Sequence, residues 1–338
     1  MPVEKKYKVS VLGDGGWGTA LALVSRRRGN QTLLWSAFPD YAKFLKEKRE
    51  NQKFLPGVPL PADIEITSDL AQAVKFGEIL IFAIPTQFVR NVLHKLKEFD
   101  LSKKILVSVA KGIEKKTYLR PSEIIESILG RVNLVILSGP SHAEEVARGV
   151  PTLVVAASKD ERLAGEVHDA LRDPRFRIYL QTDVVGTELG GSLKNVIAVA
   201  AGICDGLGFG DNTKSGLLSR GLLEMVKLGI RVGANPNTFF GLSGVGDLMT
   251  TCFSKHGRNL RVGRELGQGK TIKEILGGME MVAEGVDTSE AVVELAHRVG
   301  VELPIMTEVY NVLFKNKDCS KAVEDLLARD AREEWKQY

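Results

Sequence analysis

Tyr7-Lys-Val-Ser-Val-Leu-Gly13-Asp14-Gly15-Gly16-Trp17-Gly18-Thr19-Ala-Leu-Ala-Leu-Val-Ser25 is the stretch that decides the fold of this 338-residue chain. A short apolar strand stops at a glycine, and an apolar run of helical period begins just beyond it. The glycines at 13, 15 and 18 have the G-x-G-x-x-G spacing, and the strand-turn-helix context makes a common pattern specific. Gly13 permits the tight turn, Gly15 lets backbone amides approach a pyrophosphate, and Gly18 lets the helix pack on the strand. The helix N-terminus adds partial positive charge for an anion.

Working outward, apolar runs at 32–35, 79–84, 105–109, 134–137 and 153–156 alternate with helix-compatible stretches. That alternation predicts a doubly wound α/β sheet, parallel and buried on both faces, which binds ligands beyond the carboxyl ends of its strands. Ala110-Lys111-Gly112 and Ser138-Gly139-Pro140-Ser141 stand at such ends. Lys111 would place an ammonium at the binding edge, and Gly139 to Ser141 would present amides and a hydroxyl before the helix that opens at Ala143; plain turn chemistry is the alternative. The end of the second strand reads Trp35-Ser36-Ala37-Phe38-Pro39-Asp40. It carries neither the acid that bonds a ribose 2′-hydroxyl nor the arginine that meets a 2′-phosphate, so both NAD and NADP remain, with Ser36 able to bond either ribose.

Beyond residues 175–179, a possible edge strand, the pattern is helical at 184–201, 217–228, 260–266, 288–299 and 305–314. We therefore expect a dinucleotide-binding Rossmann domain over 1–183 and an all-helical substrate-binding domain over 184–338. Lys194 interrupts an apolar helix, with Gly190 and Gly191 on the turn before it and Ile197 and Ala198 on the turn after. Small neighbours let a ligand or another backbone approach, and burial would draw the ammonium toward proton-transfer chemistry; a lysine snorkelling to the rim of the core is the alternative. Asp247 follows a glycine-rich run and reads either as a site residue or as an ordinary N-cap. In Lys255-His-Gly-Arg-Asn-Leu-Arg261, Arg258 and Asn259 follow Gly257 at a helix start, suited to a phosphate or simply a solvated face.

Composition narrows the function. With 44% hydrophobic residues and a net charge of +4, the chain is globular, and its basic clusters at 26–28 and 46–49 lack interleaved aromatics, which argues against nucleic-acid binding. Three cysteines without a Cys-x-x-Cys pair, and five histidines without i, i+4 spacing, argue against disulfides and a protein-held metal. With no apolar run of signal-peptide or bilayer-spanning length, a cytoplasmic protein without stable membrane insertion is expected.

Gly13-x-Gly15-x-Trp17-Gly18-Thr19-Ala-Leu-Ala22, Ala110-Lys111-Gly112, Ser138-Gly139-Pro140-Ser141, Gly190-Gly-x-x-Lys194-Asn195-Val-Ile-Ala198, Gly244-x-Gly246-Asp247-Leu248 and Arg258-Asn259 together resemble the bacterial-type NAD(P)-dependent glycerol-3-phosphate dehydrogenases. The resemblance spans nearly the whole chain. It implies hydride transfer between sn-glycerol 3-phosphate and NAD(P), giving dihydroxyacetone phosphate, with the reverse direction supplying glycerophospholipid synthesis, and it implies a homodimer. Carried over by position, it makes Lys194 the proton acceptor, and Lys111 is expected as a second catalytic residue whose nearby charge would lower the Lys194 pKa by repulsion. Substrate contacts fall on Lys111, Gly139, Ser141, Lys194, Asp247, Gly257, Arg258 and Asn259. Cofactor contacts fall on Gly16, Trp17, Ala37, Lys111, Ala143, Arg258, Val282 and Glu284, beside Gly13, Gly15 and Gly18 of the loop. Gly16 and Gly257 stand where the family commonly has serine, and Ala37 where it often has a basic residue. Asp14 is unusual, since an acid beside a pyrophosphate is repulsive unless it points away. Turnover of another small hydroxy acid, and dinucleotide sensing without turnover, are the competing readings.

Overall fold

The central strands are apolar on both faces and bury completely, as sequences such as Ile79-Leu-Ile-Phe82 require. The computed structural model describes residues 5–254, 257–330 and 333–334. Eight strands form one sheet: β1 (Lys8–Leu12), β2 (Gln31–Trp35), β3 (Ile64–Thr67), β4 (Ile79–Phe82), β5 (Ile105–Ser108), β6 (Asn133–Ser138), β7 (Thr152–Ala157) and β8 (Phe176–Gln181). Their order is β3-β2-β1-β4-β5-β6-β7-β8. The chain reverses its winding direction between β1 and β4, so the crevice where such sheets bind ligands opens beside the glycine-rich turn.

Helices α1 (Gly16–Arg27), α2 (Pro39–Lys48), α3 (Leu70–Phe76), α4 (Thr86–Leu96), α5 (Pro121–Leu129), α6 (Ala143–Ala147) and α7 (Glu161–Leu171) accompany the sheet. Val9, Val11, Leu34, Ile81, Val107, Val135 and Val154 belong to its hydrophobic core.

Two features depart from the sequence reading. The sheet is mixed, because β7 runs antiparallel to β6. Their connection holds only the five-residue α6, which packs on α1, in place of a full crossover helix, so the chain re-enters the sheet at the end it left. The unread strand is β3, whose Ile-Glu-Ile-Thr sequence exposes Glu65, as an edge strand allows.

The chain divides into two compact units: residues up to Lys111 with Arg120–Thr187, and Gly112–Leu119 with Glu188 onward. The sequence pattern gave no sign that 112–119 would join the helical unit. An ion pair from Lys115 to Asp287 (2.5 Å) holds it there, and the Arg298 guanidinium lies 4.2 Å from the centre of the Tyr118 ring.

The second unit contains α8 (Val184–Gly206, from residue 188), α9 (Asp211–Arg231), α10 (Asp247–Phe253), α11 (Arg258–Gly267), α12 (Ile272–Gly277), α13 (Glu284–Val299), α14 (Pro304–Lys315) and α15 (Cys319–Leu327). A 3₁₀ turn at Pro236–Phe240 and a π turn at Leu242–Gly246 precede α10. Between Glu188 and Cys204 every residue of α8 is buried. It meets α11 backbone to backbone: a Cβ on Gly202 would stand 2.1 Å from the Leu260 carbonyl oxygen, and one on Gly263 2.0 Å from that of Val199. No helix among the described residues is long and apolar enough to cross a membrane.

Candidate active site

In the first unit the glycine loop is shaped by packing as much as by any ligand. Gly13 has φ +121°, and a Cβ there would lie 2.4 Å from the Ala83 carbonyl oxygen. A Cβ on Gly18 would lie 2.0 Å from that of Gly13. Gly15, in contrast, faces open space. The helix that follows has no side-chain cap and no acid in its first turn, so its leading amides are available to an anion. These features fit a dinucleotide pyrophosphate. Gly16 lies where a Cβ would be 2.6 Å from the Phe54 carbonyl oxygen, which explains why serine is absent. Ala143 borders the same spot, and Trp17 packs partly buried against the core, its indole N–H unpartnered among the described residues.

Asn51 pins this loop. Its Nδ2 donates to the Asp14 carbonyl and to Thr19 Oγ1, both at 2.7 Å, and its Oδ1 accepts from Tyr41 (2.6 Å) and the Phe54 amide (3.1 Å). Ser36, read as a ribose contact, is instead fully buried, and its hydroxyl donates to Asp14 Oδ2 at 2.5 Å. Burial raises the Asp14 carboxyl above its ordinary value, and that hydrogen bond and the field of Lys53 offset only part of the rise. Ala37 and Phe38 are exposed beside them.

Lys111, just beyond β5, donates from Nζ to the Gly139 carbonyl (2.8 Å) and to Ser141 Oγ (3.2 Å). Gly139, just beyond β6, has φ +132°. Three residues expected at two strand ends therefore meet as one half-buried polar group.

In the second unit, Lys194 is only 6% exposed and does not snorkel. Its Nζ donates to Asp247 Oδ1 at 2.5 Å and to Thr251 Oγ1 at 2.6 Å. The small face at Gly190 is what admits them: a Cβ there would stand 2.3 Å from the Ser243 carbonyl oxygen, so the π turn rests directly on α8 and delivers Asp247 at its end. Asp247 is no ordinary N-cap; it is 1% exposed and its carboxylate serves the lysine. A buried ammonium held by a carboxylate and a hydroxyl has the chemistry to donate a proton from a fixed position. The neighbouring Cys252 is not a thiolate, since burial pushes its thiol up to about 12.

Asn259 Nδ2 donates to Asn195 Oδ1 (2.9 Å), and its Oδ1 accepts from the Gly285 amide (3.0 Å). The side chain thus ties α11 to α8 and to the start of α13. Arg258 is exposed, and its Nη1 donates to the Val282 carbonyl at 2.9 Å, which brings Val282 and the adjacent Glu284 to the head of α11. Gly257 caps that helix without a side chain, and a Cβ there would be 3.0 Å from the Thr251 carbonyl oxygen. Lys255 and His256 lie outside the described residues. Among the described residues no group of His, Cys, Asp and Glu could hold a metal.

The family model for the NAD-dependent glycerol-3-phosphate dehydrogenase N-terminus matches residues 8–164, and that for the C-terminus matches 183–324. The chain is 44% identical over 330 residues to the glycerol-3-phosphate dehydrogenase [NAD(P)+] of Chlorobium phaeobacteroides (strain BS1), covering 97% of this chain and 99% of the relative. It belongs to the NAD-dependent glycerol-3-phosphate dehydrogenase family. Another relative, from Thermoanaerobacter sp. (strain X514), is 47% identical over 327 residues, covering 97% of this chain and 98% of the relative. The crystal structure of glycerol-3-phosphate dehydrogenase from Coxiella burnetii has 35% identity and a TM-score of 0.92, over 96% of this chain and 99% of that one.

Within this glycerol-3-phosphate dehydrogenase chain, sequence reasoning missed Thr251 and Asn51 and quoted Asn195 without giving it a role. Thr251 had a usable signal, standing one helical turn after Asp247. Asn51 lies in a loop between α2 and β3 with nothing in its neighbourhood to mark it.

Proposed function

We propose that this chain interconverts sn-glycerol 3-phosphate and dihydroxyacetone phosphate, using NAD(P)H, in the cytoplasm. One observation carries the reading: in a member of this family, Lys194 is buried with its ammonium fixed between Asp247 and Thr251. When bound, the nicotinamide supplies the hydride that makes the ketone carbon a secondary alcohol. Lys194 stabilises the negative charge that develops on the former carbonyl oxygen and gives it a proton; in oxidation it takes that proton back. Asp247 and Thr251 hold the ammonium in place, and Asp247 offsets its desolvation.

Residues 1–183 would serve the dinucleotide, with the amides of Gly15, Gly16 and Trp17 at the pyrophosphate and Gly13, Gly18, Ala37 and Ala143 shaping its bed. Residues 184–338 would serve the substrate. Its phosphate would be held by the Arg258 guanidinium and the amides of Gly257, Arg258 and Asn259 at the uncapped head of α11, and by the family resemblance Val282 and Glu284 would contact the cofactor. By the family resemblance, Lys111, Gly139 and Ser141 would also contact the substrate. Such an enzyme supplies glycerol 3-phosphate to glycerophospholipid synthesis. A homodimer is the proposed assembly, and the exposed Phe240, Met249 and Phe253 offer apolar surface for it.

The test is the loss of reduced-nicotinamide absorbance when dihydroxyacetone phosphate is added, with Lys194→Ala as the control. Rapid, substrate-dependent loss that the variant lacks supports the reading. Absorbance that stays constant, or that falls equally well with small 2-keto acids, refutes it.

A further inference from the structure

The end of β2 lacks a residue to read the ribose, yet the fold brings a carboxylate to it from the neighbouring strand. Leu12 and Trp35 are register partners at the ends of β1 and β2. Gly13 donates its amide to the Trp35 carbonyl (3.0 Å), and the next residue, Asp14, reaches across to the Ser36 hydroxyl at 2.5 Å. Ser36 is the first residue past β2. The carboxylate therefore stands in the crevice between two carboxyl ends, where a doubly wound sheet reads the adenosine ribose. The backbone that carries it is held, because Asn51 grips the Asp14 main-chain carbonyl and Tyr41 grips Asn51, while the Ser36 hydroxyl holds the carboxylate itself. With Ala37 in the usual place of a basic residue, the exposed Lys53 is the cation whose field reaches Asp14.

We propose that Asp14, a residue of the glycine loop and not of β2, determines cofactor specificity, selecting the ribose 2′-hydroxyl over a 2′-phosphate and hence NADH over NADPH. The inference rests on the dinucleotide reading given above. A carboxylate can accept from the 2′-hydroxyl, and the same charge repels a phosphate monoester; at 8% exposure the repulsion is weakly screened by solvent. The acid thereby escapes the objection that it opposes a pyrophosphate. It is turned to the ribose side of the loop, toward β2, while Gly15 and the head of α1 face the anion.

Binding, measured without turnover, tests this. Dissociation constants for NADH, NADPH, ADP-ribose and 2′-phospho-ADP-ribose would be obtained by calorimetry on the full chain and on Asp14→Asn and Ser36→Ala. We expect NADH to bind at least about a hundredfold more tightly than NADPH. In Asp14→Asn the gap should narrow by about tenfold or more, mainly through tighter NADPH, and the two ADP-ribose probes should follow. Ser36→Ala keeps the carboxylate and should keep the gap. An unchanged gap in Asp14→Asn overturns the proposal. So does a gap lost in Ser36→Ala and kept in Asp14→Asn. Should the Asn variant not fold, the unaltered chain still decides: equal affinity for ADP-ribose and its 2′-phosphate overturns the proposal, and strong preference for the former supports it. A chain that binds none of the four refutes the dinucleotide reading itself, whereas NADH binding with an unchanged gap removes only Asp14.

Discussion

Gly190→Ala tests the geometry around Lys194 through a reversal of sign. In a helix interior this substitution ordinarily stabilises by about 0.5–1 kcal/mol, since alanine loses less backbone entropy on folding. At position 190 the new methyl would stand 2.3 Å from the Ser243 carbonyl oxygen and 2.9 Å from its carbon. Both are backbone atoms of the π turn at Leu242–Gly246, so no side-chain rotation relieves the overlap. Restoring ordinary contact requires the turn to retreat by roughly 1 Å, and overpacking of this kind costs about 1–3 kcal/mol. The net expectation is a loss of about 1–2 kcal/mol. Asp247 directly follows the turn, so the retreat also opens its 2.5 Å contact with Lys194. A displacement of about 1 Å can cost on the order of a hundredfold in rate, so turnover should fall by at least about tenfold. Urea unfolding and turnover with dihydroxyacetone phosphate would be measured together, against Gly165→Ala in α7, where nothing lies within 4 Å of the added methyl. The control should be neutral or slightly stabilised. A Gly190→Ala protein with the normal unfolding midpoint and full turnover would refute the reasoning.

Lys194→Ala should lower turnover by roughly two to four orders of magnitude and leave dinucleotide affinity near normal, as calorimetry would show. It also leaves Asp247 buried without its cation, so stability should drop by about 3–5 kcal/mol in urea unfolding. Arg258→Ala should raise the Michaelis constant for dihydroxyacetone phosphate by roughly 10- to 150-fold, the equivalent of about 1.5–3 kcal/mol, and steady-state kinetics would show it. Burial pushes the Glu224 carboxyl up to about 7 although it accepts the amides of Ile305 (2.7 Å) and Met306 (3.1 Å) at the start of α14. A carboxyl raised on folding stabilises fully below its unfolded value of about 4.5, and this contribution is lost as pH rises toward 7. Glu224→Gln should therefore gain on the parent by up to about 3 kcal/mol between pH 5 and pH 8, a trend that urea unfolding across that range would reveal.

Much of this molecule was legible where a residue's duty is set by its immediate neighbours. Gly13 and Gly18 answer to backbone a few residues away or on the adjacent strand, so spacing alone assigned them, and the buried strands declared themselves by apolar runs. β3 escaped because Glu65, exposed on an edge strand, breaks its short apolar run. The antiparallel β7 escaped because the direction of a strand depends on what its connection packs against. At the candidate site, residue type marked the anomalies without marking the partners. A lysine in an apolar helix and an aspartate in a glycine loop are each anomalous, and an anomaly in an otherwise consistent stretch means that something distant satisfies it. For Lys194 that something is 53 residues on, and for Asp14 it is 22. The same reasoning explains the misreading of Ser36. Judged along β2 it was a spare hydroxyl near a ribose, but the sheet places it opposite a buried acid, and a carboxylate kept from water takes the nearest proton donor. Which cofactor the crevice prefers is thus a property of two strand ends taken together, and reading either one alone leaves the discriminator out.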